Sequence, residues 1–238
     1  MRTNFPDALF SGGDFDLEIQ LGETNDSRLR DARSKLWEHR SLVGCYMESE
    51  GKGSKIDWST QIAPHKRSFE SRLFGIATTP NGIEIPCYSL VLRYGDGVDR
   101  LSLSIPFGAL ELAYGTDVYL NGDPSPADLS WLFSVSDWFA DIGDFVFSSV
   151  RYRYALIGDE ASVCTAAREI HSEISSKSVH QLMPGIRWCG YLVPDDDQLV
   201  WYPPYLTSAP CFHLVRWTKG RLRDARELRR KAKSFWLG

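Results

Sequence analysis

Aspartates and an aromatic residue at helical spacing form the first candidate site in the sequence. The segment 125–146 begins with a Ser-Pro pair typical of a helix start and continues with an apolar pattern of helical period. On a helical wheel, three carboxylates fall on the face opposite the apolar residues: Asp137, Asp141 and Asp144. Phe133 projects from the edge of this acidic ridge. A solvated helix face would show the same pattern, and so would a contact surface for a basic partner.

A second acidic and aromatic group lies later in the chain. Its members are three consecutive aspartates and three aromatic residues: Asp195, Asp196, Asp197, Trp201, Tyr202 and Tyr205. The aspartates suit the tip of a hairpin, and the two prolines at 203–204 exclude a central strand. Aromatic residues beside carboxylates are typical of an interface anchor and its rim, although the same rings could pack on the core. We predict that both acidic groups bind a partner protein.

Catalytic signatures with a fixed local spacing are missing from the sequence. It contains no Gly-x-Ser-x-Gly elbow, no Gly-x-x-x-x-Gly-Lys phosphate loop and no His-Glu-x-x-His zinc motif. We therefore predict a protein that is not an enzyme, and we assign it no catalytic residue. The alternative is a hydrolase whose carboxylates, from the acidic ridge or from the hairpin at Asp195, converge only in three dimensions.

Histidines and cysteines do not form a convincing metal or nucleophile site. Glu169, His171 and Glu173 alternate, but on the helix predicted there the histidine points away from Glu169. Cys164 and His180 could form a nucleophile pair, yet nothing near them in the sequence would activate the thiol. The five cysteines are scattered, which is typical of buried free thiols rather than disulfides. We predict no bound metal and no cofactor.

The charge is distributed unevenly along the chain. The 238 residues carry 27 Lys or Arg and 31 Asp or Glu, a formal net charge of −4. Residues 81–217 hold 8 basic and 17 acidic side chains, a net −9, whereas residues 218–238 hold 8 basic and 2 acidic ones, a net +6. An acidic body repels phosphate backbones, so we predict no nucleic-acid partner. The partner that we predict instead is a basic protein.

The basic C-terminal segment is predicted to form an amphipathic helix from Gly220. Its apolar positions include Leu222, Leu228 and Phe235, and the basic residues face the other way. Such a helix could lie on an anionic membrane, bind nucleic acid or dock on the body of the protein. We predict docking, because an exposed helix would leave the rings of Phe235 and Trp236 in water.

The remaining elements predict an α+β protein. Strict alternation over 14–21 indicates a strand with one apolar face and one solvated acidic face. Turn residues at 95–97 and 194–198 predict hairpins, and the helices do not alternate regularly with the strands. We therefore expect an antiparallel or mixed sheet built from hairpins and covered by one long helix. Residues 1–238 are expected to form a single domain, which a loop near 49–68 could divide into two lobes.

These observations together favour one class of function. The sequence shows no secretory signal and no membrane-spanning apolar run, so we predict a cytoplasmic protein without a membrane partner. An acidic protein complements the basic active site of a toxin or nuclease. By analogy, we expect a non-enzymatic, bacterial immunity or inhibitor protein that masks such a site by stoichiometric binding. The alternatives are the hydrolase and an aromatic-lined module that binds a small ligand.

Overall fold

A sheet and helices make up the part of the chain that the computed structural model describes. That part comprises residues 6–10, 12–46, 69–93, 95–115, 130–159, 190–195, 198–202 and 217–218. Its strands are β1 (Asp14–Glu23), β2 (Leu42–Tyr46), β3 (Phe69–Thr78), β4 (Glu84–Arg93), β5 (Val98–Pro106), β6 (Tyr154–Asp159), β7 (Gly190–Asp195), β8 (Gln198–Tyr202) and β9 (Trp217–Thr218). Its α-helices are α1 (Asp26–Trp37), α2 (Phe107–Tyr114) and α3 (Ser130–Phe147), and a short 3-10 helix covers Asp7–Phe10.

The strands form one sheet in which every pairing of the described residues is antiparallel. Their order is β2-β3-β4-β5-β1-β6-β7-β8-β9. Strands β2 to β5 follow one another as neighbours, and so do β6 to β9. The first strand, β1, lies at the centre and pairs with β5 and β6. The prediction of an α+β protein is therefore confirmed, with antiparallel rather than mixed pairing in the described sheet.

One face of the sheet carries the hydrophobic core. Phe15, Leu17 and Ile19 of β1 are at most 1% exposed and cluster with side chains from all three helices. α1 contacts β4 and β5, α3 contacts β1 and β6, and the two helices contact each other. The prediction that one long helix covers the sheet is not confirmed, because α1 and α3 share this apolar face.

A buried ion pair ties the start of α1 to the sheet. The Asn25 side chain caps the helix by accepting a hydrogen bond from the N–H of Arg28 at 2.9 Å. The N–H of Asn25 itself donates to Asp99 at 2.8 Å, and Arg93 donates to both oxygens of Asp99 at 2.6 and 2.9 Å. Arg93 also reaches Asp26 in the first turn of α1 at 2.8 Å. Loss of Arg93 would leave Asp99, which is fully buried, without this counter-charge.

Helix α3 presents its apolar side to the core as the sequence predicts. The predicted start at Ser125 lies outside the described residues, and the helix ends at Phe147, one residue beyond the predicted end. Four residues predicted to face the core are all buried: Val135, Trp138, Ile142 and Val146. Their spacing matches the helical period, so the wheel places the apolar arc correctly.

The second face of β1 is also buried, which corrects the prediction of a solvated acidic face. Asp16, Glu18 and Gln20 are 2%, 4% and 0% exposed. They alternate with the core residues as expected, but this face of β1 is covered as well. Alternation shows which side chains share a face, whereas a layer packed over that face decides whether it meets water.

Several predictions fall on residues outside the described part of the chain. These are the loop boundary at 49–68 and the C-terminal helix from Gly220, so the single domain over 1–238 stays a prediction. Within the described residues, no helix combines the length and apolar character that crossing a membrane requires.

Replacing Trp138 with alanine should lower the free energy of unfolding by about 3–5 kcal/mol, because a buried indole that packs against Phe139 is removed. Trp138→Phe is the matched control. It retains a ring but loses the N–H that donates to Ser41, so it should cost only about 1–2 kcal/mol. Urea unfolding measures both values. An alanine variant as stable as the wild type would contradict the core position of Trp138.

Candidate functional site

A cleft of about 520 Å³ opens between α3 and two other parts of the chain. The turn between α1 and β2 supplies residues 39–41, and the end of β3 with the turn after it supplies residues 78–80. The lining from α3 includes Phe133, Asp137, Trp138 and Asp141. The cleft therefore brings together three of the predicted partner-binding residues, while Asp144 lies on the same helix outside this lining.

The acidic ridge is only partly open to solvent. The side chain of Asp141 is 51% exposed, whereas Asp137, Asp144 and Phe133 are half-buried. The helical wheel predicts that all three aspartates of the ridge are exposed, and this prediction is wrong for Asp137 and Asp144. A helical wheel gives the direction of a side chain, but it does not show whether a neighbouring element shields that side chain from water. Here the turn 39–41 lies beside α3 and forms one wall of the cleft.

Ser41 fixes the geometry of the cleft. Its Oγ accepts a hydrogen bond from the Trp138 indole at 2.9 Å, and its hydroxyl lies 2.7 Å from Nδ1 of His39. The carbonyl of Ser41 accepts a hydrogen bond from the N–H of Thr78 at 2.8 Å. One short turn is thus bonded to α3 and to β3. The three walls of the cleft keep a fixed spacing as a result.

His39 connects Ser41 with the acidic ridge. The histidine is 4% exposed, and its Nε2 lies 3.4 Å from Oδ2 of Asp141. We assign the tautomer that carries its proton on Nε2, because it satisfies both contacts of the ring. Nε2–H then donates to Asp141, and Nδ1 accepts from the Ser41 hydroxyl. A continuous row of hydrogen bonds runs from the buried Trp138 indole to Asp141 at the surface.

The hydrogen bond from His39 lowers the pKa of the Asp141 carboxyl from its ordinary value, against the opposing effect of partial burial. Arg40, whose Nη2 lies 3.8 Å from the carboxylate, adds a smaller attraction. Asp141 is therefore an anion at neutral pH. Beside it, Phe133 and Trp138 supply aromatic surface. This combination suits a guanidinium or ammonium group, which can pair with a carboxylate and stack on a ring.

The same row of hydrogen bonds also contains the chemical groups of a nucleophilic site. A hydroxyl, an imidazole and a carboxylate in contact are the groups that acyl-transferring enzymes use. Neither His39 nor Ser41 is predicted from the sequence to belong to a site. The only local signal is that His39 and Ser41 are two residues apart in one turn. Nothing in the sequence links them to Asp141, which the fold brings from α3.

The hairpin predicted for the second acidic group is present in the backbone. Strands β7 and β8 pair, with Asp195 opposite Gln198 at the turn and Trp201 opposite Leu192. Tyr202 pairs with Tyr191 in the same ladder. Three further members of the group lie outside the described residues: Asp196, Asp197 and Tyr205. The role of this group in binding a partner stays a prediction.

No described cluster of His, Cys, Asp and Glu side chains is arranged to hold a metal ion, when groups of three or more are considered. The sequence candidates Glu169, His171 and Glu173 lie outside the described part of the chain, as do Cys164 and His180. Cys87 of β4 is buried and is not part of a disulfide. The cleft is thus the site that the described residues support.

Comparison with known proteins assigns no family to the chain. No family model matches it, and no curated protein or solved structure is significantly similar to it. The function is therefore inferred from the geometry and charge of the cleft.

Replacing Asp141 with asparagine should lower the free energy of unfolding at neutral pH by at most about 1 kcal/mol, because water screens a half-exposed contact. The pKa of folded Asp141 is lowered, so this contribution is present above the ordinary value of 3.8 and is lost as the pH falls through the folded pKa. Urea unfolding at pH 7 and at stepwise lower values below 3.8 should show the difference shrinking as the pH falls. Glu111→Gln, which removes an exposed carboxylate on α2, is the control. A pH-independent difference would contradict the contact between the ionised Asp141 and His39.

Proposed function

We propose that the protein acts by stoichiometric binding of a basic protein partner at the cleft. The observation that carries this proposal is that Phe133, Asp137 and Asp141 line one open cleft whose anion is held in place by His39. The function that we propose is that of a bacterial immunity or inhibitor protein, cytoplasmic and without a cofactor, which masks the active site of a toxin or nuclease.

Charge complementarity supports this class of partner. A nuclease must hold phosphates, so its active site carries Lys and Arg side chains. A protein whose residues 81–217 have a net charge of −9 attracts such a surface over a distance and speeds the encounter. Once the two surfaces meet, carboxylates inserted among the basic residues of the partner would occupy the place of the substrate phosphates.

The rigidity of the cleft also supports a binding role. Ordering of loops and side chains on association reduces affinity, so a surface that is already ordered binds more tightly. Here Ser41 is bonded to Trp138 and Thr78, and His39 is bonded to Ser41 and to Asp141. An aromatic-lined site for a small ligand fits less well, because much of the lining is polar: His39, Arg40, Ser41, Thr78, Thr79 and Asp137.

The proposal also includes the domain organisation, the cover of the sheet and the position of the C-terminal segment. We propose that residues 1–238 act as one domain, with α3 as the principal cover of the sheet. The hairpin at Asp195 and the aromatic residues after it would enlarge the contact surface beyond the cleft. The C-terminal segment would dock on the body as an amphipathic helix with Leu222, Leu228 and Phe235 turned inward.

The combined substitution Asp137→Asn and Asp141→Asn should slow association with the purified partner about tenfold and flatten its dependence on salt, because charges near an interface act mainly on the encounter. Phe133→Ala should instead speed dissociation, since loss of a buried aromatic anchor shortens the life of the complex. Surface plasmon resonance with the partner recovered from the native host separates the two rates.

The control for the charge effect is Glu84→Gln combined with Glu111→Gln, which removes two exposed carboxylates outside the cleft. If this control slows association as much as the cleft variant does, the attraction is a general effect of net charge. The proposed position of the site would then be wrong.

A second candidate function, an acyl-transferring hydrolase, is favoured by the row of Ser41, His39 and Asp141. Ser41 Oγ would attack a carbonyl carbon and pass its proton to His39 Nδ1, which would protonate the leaving group. Water would then cleave the acyl ester of Ser41. Against this, the Trp138 indole donates to the same Oγ and holds the lone pair that has to attack. Binding is therefore the better supported function.

The two candidates differ in the effect of Ser41→Ala on hydrolysis of p-nitrophenyl acetate. We expect the wild type and this variant to release nitrophenol at the same rate, because Ser41 holds the cleft together and does not attack. Release that is faster in the wild type and lost in a folded Ser41→Ala variant, while binding of the partner persists, would establish the hydrolase instead. Near-ultraviolet circular dichroism confirms the fold of the variant.

A further inference from the structure

A second, smaller cavity lies at the N-terminal end of α1, whereas the cleft lies beyond the C-terminal end of this helix. Its volume is about 210 Å³. Its lining comprises Leu21, Glu23, Arg28, Arg151, Tyr152 and Arg153. The 12 residues of α1 span about 18 Å, so this cavity and the cleft are separate sites. We call the smaller cavity the arginine pocket.

The lining of the arginine pocket is positively charged, although the chain as a whole is acidic. Three of the lining residues are arginines and one is a glutamate, a formal net charge of +2, whereas the whole chain has a net charge of −4. The guanidinium carbon of Arg151 lies 4.4 Å from the ring centre of Phe147, and Arg151 has other contacts as well. Arg151 therefore adds positive potential, and the hydrogen-bond donors to consider are Arg28 and Arg153.

The backbone of β1 makes room for the side chain of Arg153. The register of β1 shifts between Gln20 and Gly22, and the N–H of Arg153 donates to the carbonyl of Gln20 at 2.8 Å. Gly22 has a φ of +95°, and a Cβ at this position would lie only 2.8 Å from Nε of Arg153. Any other residue at this position would have to displace the Arg153 side chain. The glycine thus lets Arg153 pack closely against the end of β1.

Arg28 is fixed by the same end of β1. Its Nη2 donates to the carbonyl of Glu23, which joins the first turn of α1 to the strand. The Glu23 side chain is 91% exposed, and its Oε1 lies 4.0 Å from Nη2 of Arg153, which is too far for a hydrogen bond. Within the described residues, the guanidinium of Arg153 forms no hydrogen bond. Its N–H donors are therefore available to a ligand.

Arginines beside one loosely held carboxylate suit a compact anion of high charge. The planar guanidinium fork matches the oxygens of phosphate and carboxylate groups. A phosphate group has a charge of about −1.5 to −2 at pH 7 and three acceptor oxygens, so it matches a net +2 better than a carboxylate does. Nucleic acid suits the pocket less well, because the net negative charge of the chain repels a long polyanion.

We propose that the arginine pocket binds a phosphate group, either as the free anion or as the ester of a small molecule. Arg28 and Arg153 donate hydrogen bonds to the phosphate oxygens. Glu23, at the rim of the pocket, competes with the ligand for the arginines. The pocket shares no residue with the cleft, so this proposal stands independently of the binding of a protein there.

A nuclear magnetic resonance titration of the isotope-labelled, full-length chain with inorganic phosphate tests the proposal. At constant ionic strength, the amide signals of Gly22 and Arg153 should shift and reach saturation. Arg153→Gln should raise the dissociation constant about tenfold, because it removes charge-assisted hydrogen bonds. Glu23→Gln should instead lower it severalfold, because it removes the competing carboxylate. Arg72→Gln, which removes an exposed arginine of β3 outside the pocket, is the matched control and should leave the dissociation constant unchanged.

Two further ligands define the chemistry of the site. Acetate should bind at least about tenfold more weakly than phosphate, because it has fewer acceptor oxygens and less charge. Phenyl phosphate distinguishes the two sources: tighter binding than inorganic phosphate indicates an ester, and weaker binding indicates the free anion.

Three results would overturn the proposal. They are shifts that grow without saturation, equal affinities for acetate and phosphate, and an affinity for phosphate that neither Arg153→Gln nor Glu23→Gln changes. Glu23→Gln alters an exposed side chain, so the test stands even if Arg153→Gln does not fold. No partner protein enters this experiment, and its failure is therefore distinct from a failure of the binding function.

Discussion

The central position of β1 is the constraint on which the rest of the structure depends. A strand that pairs on both edges in the middle of a wide sheet can be covered on both faces, and β1 alternates apolar with polar residues. The apolar side chains require the layer that α1 and α3 form. The polar side chains require a layer of a different character, one that satisfies carboxylates and an amide. The two faces of one strand therefore call for two chemically different layers.

The helical layer is also what creates the cleft. α1 is anchored to the sheet through the buried pair of Arg93 and Asp99, and it ends just before the turn that carries His39 and Ser41. That turn is bonded to Trp138 on the inner side of α3. Asp137 and Asp141 stand on the outer side of the same helix. Packing of the core thus sets the distance between the acidic face of α3 and the turn opposite it. The same contacts that stabilise the fold therefore determine the shape of the cleft.

Periodicity explains which parts of this arrangement could be predicted. The alternation in β1 and the helical spacing in α3 assign side chains to faces, and those assignments agree with the structure for Phe15 and Trp138. Turn residues predict the hairpins, because their conformations are local. Burial of Asp16 and Glu18 could not be predicted, since no local pattern tells whether another part of the chain covers that face of β1. Contacts such as His39 with Asp141 join distant parts of the chain and leave no periodic trace.

The central claim is that the cleft lined by Phe133, Asp137 and Asp141 is where a basic protein binds. Photo-cross-linking in the native host tests it most directly, with a benzoylphenylalanine placed at Phe133 or, as a reference, at the exposed Leu112 of α2. The account predicts that position 133 captures one protein with a basic surface, that position 112 does not, and that Asp137→Asn with Asp141→Asn lowers the yield of capture. Capture of the same protein from both positions, or a yield at position 133 that is unchanged without the two carboxylates, would contradict it.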